Sequence, residues 1–242
     1  MRKIINSSVT VMVPAYNEEG YLESTVKSVS KIVNGLFKDY EILIFDDCST
    51  DRTGEIADAL AKNNKKIKAF HNKINKGLGY NYRQGVKIAQ EEYFCWIPAD
   101  RGDNAAVFRS IENFLTKTGK ADIITSYFTY GKPRPLYRYI ISDMFTGALN
   151  FLFGHSLKYY CGFIICKVGL LRGIKMRTDS FAMQAEVLIQ LLEKGYSHKE
   201  YLLYEPQEYG SSAMFRFKNL AGVVKTMVVL FFQIYLGRLR LK

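Results

Sequence analysis

Val9-Thr10-Val11-Met12-Val13-Pro14-Ala15-Tyr16-Asn17-Glu18-Glu19 is the stretch on which the fold turns. An apolar run ends in a proline, a polar Tyr-Asn-Glu-Glu follows, and an amphipathic stretch comes next. That pattern predicts a buried strand, a rigid turn and the start of a helix. Ile42-Leu43-Ile44-Phe45-Asp46-Asp47-Cys48-Ser49-Thr50-Asp51 repeats the design. A second apolar strand ends in a carboxylate pair, and Ser49, Thr50 and Asp51 are suited to cap the helix after it. In an open α/β sheet, ligands bind outside the carboxyl ends of the strands. Two strands that deliver acidic, aromatic and amide groups to one edge therefore predict a nucleotide pocket there.

Outward from these two units the pattern continues. Strand-like runs near 9–13, 41–46, 67–71, 93–97 and 122–125 alternate with helical patterns near 19–33, 52–63, 79–91 and 104–117. Such alternation predicts an α/β fold of Rossmann-like type, a mostly parallel sheet flanked by helices with right-handed crossovers. Lys132-Pro133-Arg134-Pro135 breaks the chain after the fifth strand. A helix over 136–153, a short strand at 163–165, a helix over 181–194 stopped by Gly195, a strand over 198–204 and a last apolar helix near 214–237 complete the expectation. The expected division is a main domain over 1–212 and a C-terminal amphipathic helix over 213–242.

Composition narrows the partners. The chain has 242 residues, 48% of them hydrophobic, enough to bury one large core. Its formal net charge of +11, from 34 Lys and Arg against 23 Asp and Glu, favours polyanions such as sugar nucleotides or phospholipid surfaces. Nucleic acid would also suit the charge, but the sequence holds no base-stacking motif, and that class is set aside. Cys48, Cys95, Cys161 and Cys166 have no metal-ligand spacing and read as reduced thiols of a cytosolic protein. The first residues lack a long apolar core, so no signal peptide is expected.

The fourth strand ends Trp96-Ile97-Pro98-Ala99-Asp100-Arg101-Gly102-Asp103. A hard divalent cation, Mg²⁺ or Mn²⁺, takes one or two such carboxylates plus substrate phosphates, so Asp100 and Asp103 are the candidate metal ligands. The cation would neutralise charge on a departing diphosphate. Asp103 is equally suited to cap the helix that follows. Asn75-Lys76-Gly77-Leu78-Gly79-Tyr80-Asn81 is a Gly-rich turn opening a helix, a place where backbone N–H groups at Lys76 and Gly77 can approach phosphate. It lacks the third glycine of the dinucleotide fingerprint, and the chain has no Gly-Lys-Ser/Thr phosphate loop. His71, His155 and His198 stand in no catalytic context and read as ordinary surface or loop histidines.

Val13-Pro14-Ala15-Tyr16-Asn17-Glu18, Asp46-Asp47-Cys48-Ser49-Thr50-Asp51, Asn75-Lys76-Gly77-Leu78-Gly79 and Ala99-Asp100 come in an order and spacing that resembles family 2 glycosyltransferases of GT-A fold. Arg138-Tyr139-Ile140-Ile141-Ser142, Cys161-Gly162-Phe163, Gln184-Ala185-Glu186 and Gly210-Ser211-Ser212 look like the later landmarks of polyprenol (dolichyl) phosphate sugar synthases. The resemblance implies that Pro14, Tyr16, Glu18 and Asp47 line the nucleotide site with Asp46 beside them, and that Asp100 binds metal. Three positions depart from the pattern. Pro98 stands where the metal motif has its first Asp, and Gly102 stands where polyprenol phosphate synthases often have Gln. Gln207 and Ala213 stand where an Arg and a Lys often bracket the Gly-x-Ser motif. Arg134, Arg138, Arg216 and Lys218, together with Ser212, are the groups left to hold an acceptor phosphate.

The implied reaction is displacement at the anomeric carbon through an oxocarbenium-like transition state, with the nucleotide diphosphate leaving. A phosphate acceptor needs no general base, because its second pKa is about 6. A hydroxyl acceptor does, and Glu186 or Asp179 would serve. Leu220 to Leu236 is the most apolar stretch, with Lys218, Gly222, Lys225, Val229, Gln233 and Arg240 near one stripe at helical spacing. Such a helix suits a membrane interface, with Arg238, Arg240 and Lys242 near anionic headgroups. It could instead span the bilayer, or pack on the domain or on a second subunit. The expectation is a peripheral enzyme at the cytoplasmic face of a membrane, moving a sugar from a nucleotide donor to a polyprenyl phosphate or another lipid-linked acceptor. Transfer to a saccharide hydroxyl and non-enzymatic sugar-nucleotide binding are the alternatives.

Overall fold

The computed structural model describes residues 5–102, 105–130, 136–179, 182–205 and 231–232. β1 (Ile5–Ala15) leads through a turn into α1 (Leu22–Leu36), and β2 (Phe37–Asp46) into α2 (Thr53–Asn63). β3 (Ile67–His71), α3 (Leu78–Ile88) and β4 (Tyr93–Trp96) follow, and a 3-10 turn at Ala99–Arg101 leads to α4 (Ala105–Leu115). The second half comprises β5 (Ile123–Tyr130), α5 (Leu136–Phe153), β6 (Ile164–Lys167), α6 (Val168–Arg172), α7 (Met183–Glu193) and β7 (His198–Glu205). The expected C-terminal helix, except for Phe231 and Phe232, lies outside the described residues, as does the boundary expected at 212.

The strands form one seven-stranded sheet in the order β3-β2-β1-β4-β6-β5-β7. β1 pairs in parallel with both β2 and β4, and β2 with β3. β6 alone runs against its neighbours β4 and β5, and β5 pairs in parallel with β7. All strands but β6 thus point their carboxyl ends to one edge, and the nucleotide-half strands meet there in register. Ala15 stands beside Asp46, and Asp46 beside His71.

Alternation along the strands sorts the core into two layers. Val11, Val13, Ile42 and Ile44 face α1, α2 and α4, while Met12, Leu43, Phe45 and Phe94 face α3, α5, α6 and α7. Both faces of the sheet are covered, which is why these strands read as continuous apolar runs. α1 supplies its layer with Leu22, Val26, Val29 and Val33, at helical spacing. α7 is buried on every side, and its polar residues have partners there: Gln184 donates to the Gly162 carbonyl, and Gln190 bridges the Lys175 backbone.

β5 runs five residues past its expected end at 125 because its whole length pairs with β7, from Ile123 beside His198 to Tyr130 beside Glu205. The junction of β5 with the turn before β6 is close-packed. Ser126 N–H donates to the Phe163 carbonyl at 2.9 Å, and its hydroxyl accepts from Phe163 N–H, also at 2.9 Å. A Cβ on Gly162 would lie 1.7 Å from the Ser126 carbonyl oxygen. Gly162→Ala must therefore push two backbones apart, and overpacking of this kind costs about 3 kcal/mol. Its urea midpoint should fall by about 1–2 M.

Candidate active site

Two turns at the carboxyl edge, after β1 and after β2, are laced together by their own polar atoms. Asp47 N–H donates to the Ala15 carbonyl at 2.9 Å, Asn17 N–H to Ser49 Oγ at 3.0 Å, and Glu18 N–H to Thr53 Oγ1 at 2.8 Å. Returning bonds run from Thr50 N–H to Asn17 Oδ1 at 2.8 Å and from Arg52 N–H to Glu19 Oε2 at 3.1 Å. The lacing holds Asn17 at φ 56° and Cys48 at φ 66°, in a region that disfavours a side chain at Cys48. Ser49 and Thr50, expected to cap α2, are spent on this lacing. Only Asp51 serves the helix start, accepting Thr53 N–H at 2.9 Å. Tyr16 projects from the first turn half exposed, and Pro14 pairs beside Phe45.

The buried carboxylate of Asp47 organises the next turn. Its Oδ1 accepts from Asn72 Nδ2 at 2.7 Å and from Lys76 N–H at 2.8 Å, and its Oδ2 accepts from Gly77 N–H at 2.8 Å. This corrects the reading of the Gly-rich turn as a phosphate cradle. The N–H groups of Lys76 and Gly77 are taken by Asp47, and Gly79 N–H donates to the Asp179 carbonyl at 3.1 Å. The glycines are there for close approach: a Cβ on Gly79 would lie 2.2 Å from the Thr178 carbonyl, and Gly77 sits at φ 84°.

The segment that presses on those glycines is held by Glu186. Both of its oxygens are occupied, by Arg177 N–H and Thr178 N–H at 2.9 Å each. Burial pushes its carboxyl up, and the two backbone bonds pull against that shift. Glu186 is 2% exposed, so the geometry makes it an anchor for the 175–179 segment rather than a free general base. Asp179 pairs with Arg83 through its side chain.

Asp100 lies in the 3-10 turn after β4, and α1 fixes that turn. Thr25 Oγ1 donates to the Ala99 carbonyl at 2.7 Å and accepts from Gly102 N–H at 2.8 Å. Glu18 feels Asp100 across the edge. Burial first, then the Asp100 and Asp51 charges, push it from the usual 4.5 up to about 7. Glu18 and Asp100 therefore stand near enough at this edge for their charges to interact, and Asp47 holds the 76–77 turn at the same edge. Among the described residues Asp100 Oδ1 is buried without a hydrogen bond, and Arg101 Nε lies 3.7 Å from it. A carboxylate oxygen held by one long ion pair, near a second acid, fits a hard divalent cation completed by diphosphate and water. Among the described residues no cluster of three or more His, Cys, Asp or Glu could hold a metal without such a substrate.

On the far side of the edge, a cavity of about 120 Å³ is lined by Tyr127, Phe128, Tyr139, Ser142, Asp143, Lys158 and Tyr159. Arg101 stacks on Phe163, Phe163 meets Phe128, and Phe128 meets Tyr159, so aromatic rings connect the Asp100 turn to this cavity. Arg138 is buried in α5. Asp103, Arg134, Ser212 and Arg216 lie outside the described residues. A larger groove of about 520 Å³ between α1 and α2 touches none of the clustered carboxylates.

The sequence reading of His71 as an ordinary surface or loop histidine does not anticipate its two carboxylate contacts. Its Nδ1 lies 3.0 Å from Asp46 Oδ2 and its Nε2 2.9 Å from Asp58 Oδ1. The signal was present in the sequence: β2 and β3 both end in polar residues, Asp46 and His71, at matching positions of parallel neighbours.

Residues 10–187, well over half of the chain, match the model of glycosyl transferase family 2, and the chain belongs to that family. Dolichol-phosphate mannosyltransferase of Pyrococcus furiosus is 27% identical over 187 residues, 75% of this chain and 52% of that protein. Glycosyltransferase GlyG of Streptococcus pneumoniae is 26% identical over 122 residues, 50% of this chain and 40% of that protein. The chain thus spans about half the length of these curated relatives. Glucosyl-3-phosphoglycerate synthase of Mycobacterium tuberculosis, solved with Mn²⁺, uridine diphosphate and phosphoglyceric acid, shares the fold. Its TM-score is 0.72 at 15% identity, over 94% of this chain and 78% of that one.

The raised Glu18 carboxyl sets a pH dependence. Its folded pKa exceeds the unfolded one, so the stability it contributes is full below pH 4.5 and is lost as pH rises through about 7. Glu18→Gln should match the parent in melting temperature at acid pH and exceed it above neutrality. Solvent screening of this half-exposed group leaves about 1 kcal/mol, or about 2–4 °C, by thermal melts across pH.

Proposed function

We propose that this chain transfers a sugar from a nucleotide diphosphate donor to a lipid-linked acceptor, with polyprenyl phosphate as the best candidate. The observation that carries the donor half is the meeting of Glu18, Asp47 and Asp100 at one sheet edge, the place where an α/β sheet binds nucleotides. Pro14, Tyr16 and Asp46 frame the same edge. Asp100 would hold Mg²⁺ or Mn²⁺ there, with Asp103 a second ligand, and the cation when bound supplies charge neutralisation for the leaving diphosphate. Thr25 keeps Asp100 in place by fixing the backbone on both sides of it. Lys76 offers the donor its ammonium, while its N–H secures the turn.

Two features support the acceptor half. Glu186 is 2% exposed and each of its oxygens already accepts a backbone N–H, an arrangement that suits an acceptor arriving already ionised better than one needing a base. α5 also presents an exposed arc without a charged side chain, containing Leu136, Tyr137, Ile140, Ile141, Met144 and Phe151. Leu136, Met144 and Phe151 are 73%, 69% and 89% exposed, a cost in water that a lipid surface removes. The excess of Lys and Arg matches an anionic headgroup layer. No described helix is long and apolar enough to cross a membrane. The cavity lined by Tyr139, Ser142 and Lys158 is the candidate seat for an acceptor head, with Arg138, Arg134, Ser212 and Arg216 as further candidate contacts.

Radiolabelled transfer from a panel of nucleotide sugars to a short polyprenyl phosphate, with Mn²⁺ or Mg²⁺, tests the reaction. Asp100→Asn should lower the rate at least about a hundredfold. Transfer only to saccharide hydroxyls would replace the acceptor assignment, and no transfer from any donor would remove the enzymatic one. The double change Ile140→Glu with Met144→Glu should reduce sedimentation with anionic phospholipid vesicles at least about tenfold, since each buried side chain contributes about 1.5–3 kcal/mol. Unchanged sedimentation would take α5 out of the membrane contact.

A further inference from the structure

His71 closes β3 between two carboxylates: Asp46 at the end of β2, at 3.0 Å, and Asp58 on α2, at 2.9 Å. Ionised carboxylates only accept hydrogen bonds. A neutral imidazole has one N–H, so one of these contacts would then set a ring lone pair against a carboxylate. Only the imidazolium, with two N–H groups, satisfies both sides. Asp46 from β2 and Asp58 from α2 are the charged groups that act on it, and the Asp46 hydrogen bond is the larger reason its pKa lies above the ordinary value. The open side of β3 faces solvent, leaving the His71 side chain 40% exposed. A Cβ on Gly54 would lie 3.0 Å from Asp46 Oδ2 and 3.5 Å from His71 Nδ1, so α2 approaches this cluster at a residue without a side chain.

The cluster reaches the donor edge through Asp46. Its other oxygen, Oδ1, accepts Ser49 N–H at 3.0 Å, and Ser49 Oγ accepts Asn17 N–H at 3.0 Å. Asp46 is thereby one of the anchors of the turn that carries Tyr16 and Glu18. We propose that His71 is a positioning residue that clamps Asp46 to Asp58 when protonated, and so holds the donor-binding turns in their binding arrangement. The proposal rests on the nucleotide-binding reading of this edge and adds a proton to it. Sign follows from chemistry: the clamp is complete when His71 is charged and is released as pH rises through its pKa. Donor affinity should then fall on the alkaline side by about tenfold, the scale of one charge-assisted hydrogen bond.

Three variants separate this role from mere structure. His71→Gln cannot donate to both carboxylates, so it should bind nucleotide weakly and with no alkaline step. His71→Arg donates on two sides and never titrates, so it should bind tightly with the step removed. Asp58→Asn lies away from the nucleotide, removes one of the two charges, and should move the step to lower pH. Glu18 is unchanged in all three, so its own titration cancels in the comparison. The experiment is calorimetric binding of UDP and of GDP with Mg²⁺ from about pH 6 to about pH 9, beside an NMR titration of the His71 ring. Should His71→Arg not fold, Asp58→Asn alone carries the test, since it alters an exposed side chain. An alkaline step unmoved in Asp58→Asn, or a ring that titrates at or below the ordinary histidine value, would overturn the proposal while leaving donor binding intact. Failure of either nucleotide to bind at any pH would overturn the donor reading and the role of His71 with it.

Discussion

The carboxylate of Asp47 is the contact on which the rest of this edge depends. It joins the end of β2 to the turn that opens α3 through two backbone N–H bonds of 2.8 Å and a third bond from Asn72 at 2.7 Å. Hydrogen bonds to a charged group contribute about 1.5–3 kcal/mol each, and removing the acceptor would leave buried N–H groups unpaired. The order it imposes travels further. Gly77 and Gly79, held in place by Asp47, accept the close approach of Thr178 and Asp179. That segment is held in turn by Glu186 on α7. One carboxylate thus starts a series of contacts that ends in the second half of the sheet. The side chains of this turn take no part in the series: Lys76 Nζ lies over the Tyr80 ring at 5.7 Å.

Much of this architecture was legible along the chain. β1, β2, β3 and α5 fall where apolar runs and helical periodicity put them, and α5 spans 136–153 as expected. Elements whose signal is weak were under-read. β5 contains Thr125, Ser126 and Thr129, which interrupt its apolar run, and its pairing with β7 supplies what the run lacks. α6 has five residues, too few for a period to show. At the site, residue types at strand ends could be read, because local pattern fixes where a strand stops. Their occupation could not. Glu186 binds Arg177 and Thr178 across a loop, Arg83 meets Asp179 from 96 positions away, and His71 meets Asp46 from 25. Such contacts depend on how loops fold over an edge, which no periodicity encodes. The Gly-rich turn shows the consequence: its glycines mark a close approach correctly, and the approaching group is the 178–179 backbone rather than a phosphate.

Pro98 changes what is asked of Asp100. With a proline at the position where the family's metal motif has its first carboxylate, one acid must be aimed well rather than two loosely. Thr25 answers that need, because it bonds on both sides of Asp100 and is itself fully buried in α1. A helix that follows β1, the sheet neighbour of β4, therefore fixes the turn of the candidate metal ligand from 74 positions away in sequence. The same turn sends Arg101 back over Phe163 and so begins the aromatic path toward β5. The turn that carries Asp100 is thus linked, through Arg101, Phe163 and Phe128, to the rings that line the cavity beside Tyr127 and Tyr159.

Electrostatics gives the final step. The chain carries an excess of positive charge, yet the groups it gathers at this edge are acidic. Burial first, and then the charges of Asp100 and Asp51, push Glu18 up to about 7. A diphosphate approaching that edge alone would add like charge to like, and a cation approaching alone would find one loosely paired oxygen and too few ligands. Together they cancel: the cation relieves the repulsion among the acids, and the diphosphate completes the cation's shell. Cation and nucleotide binding should then be strongly coupled, with each raising the affinity of the other by the same factor. Under the proposed metal role of Asp100, its repulsion with Glu18 favours binding a cation, and a site that supplies few protein ligands leaves coordination positions for the donor.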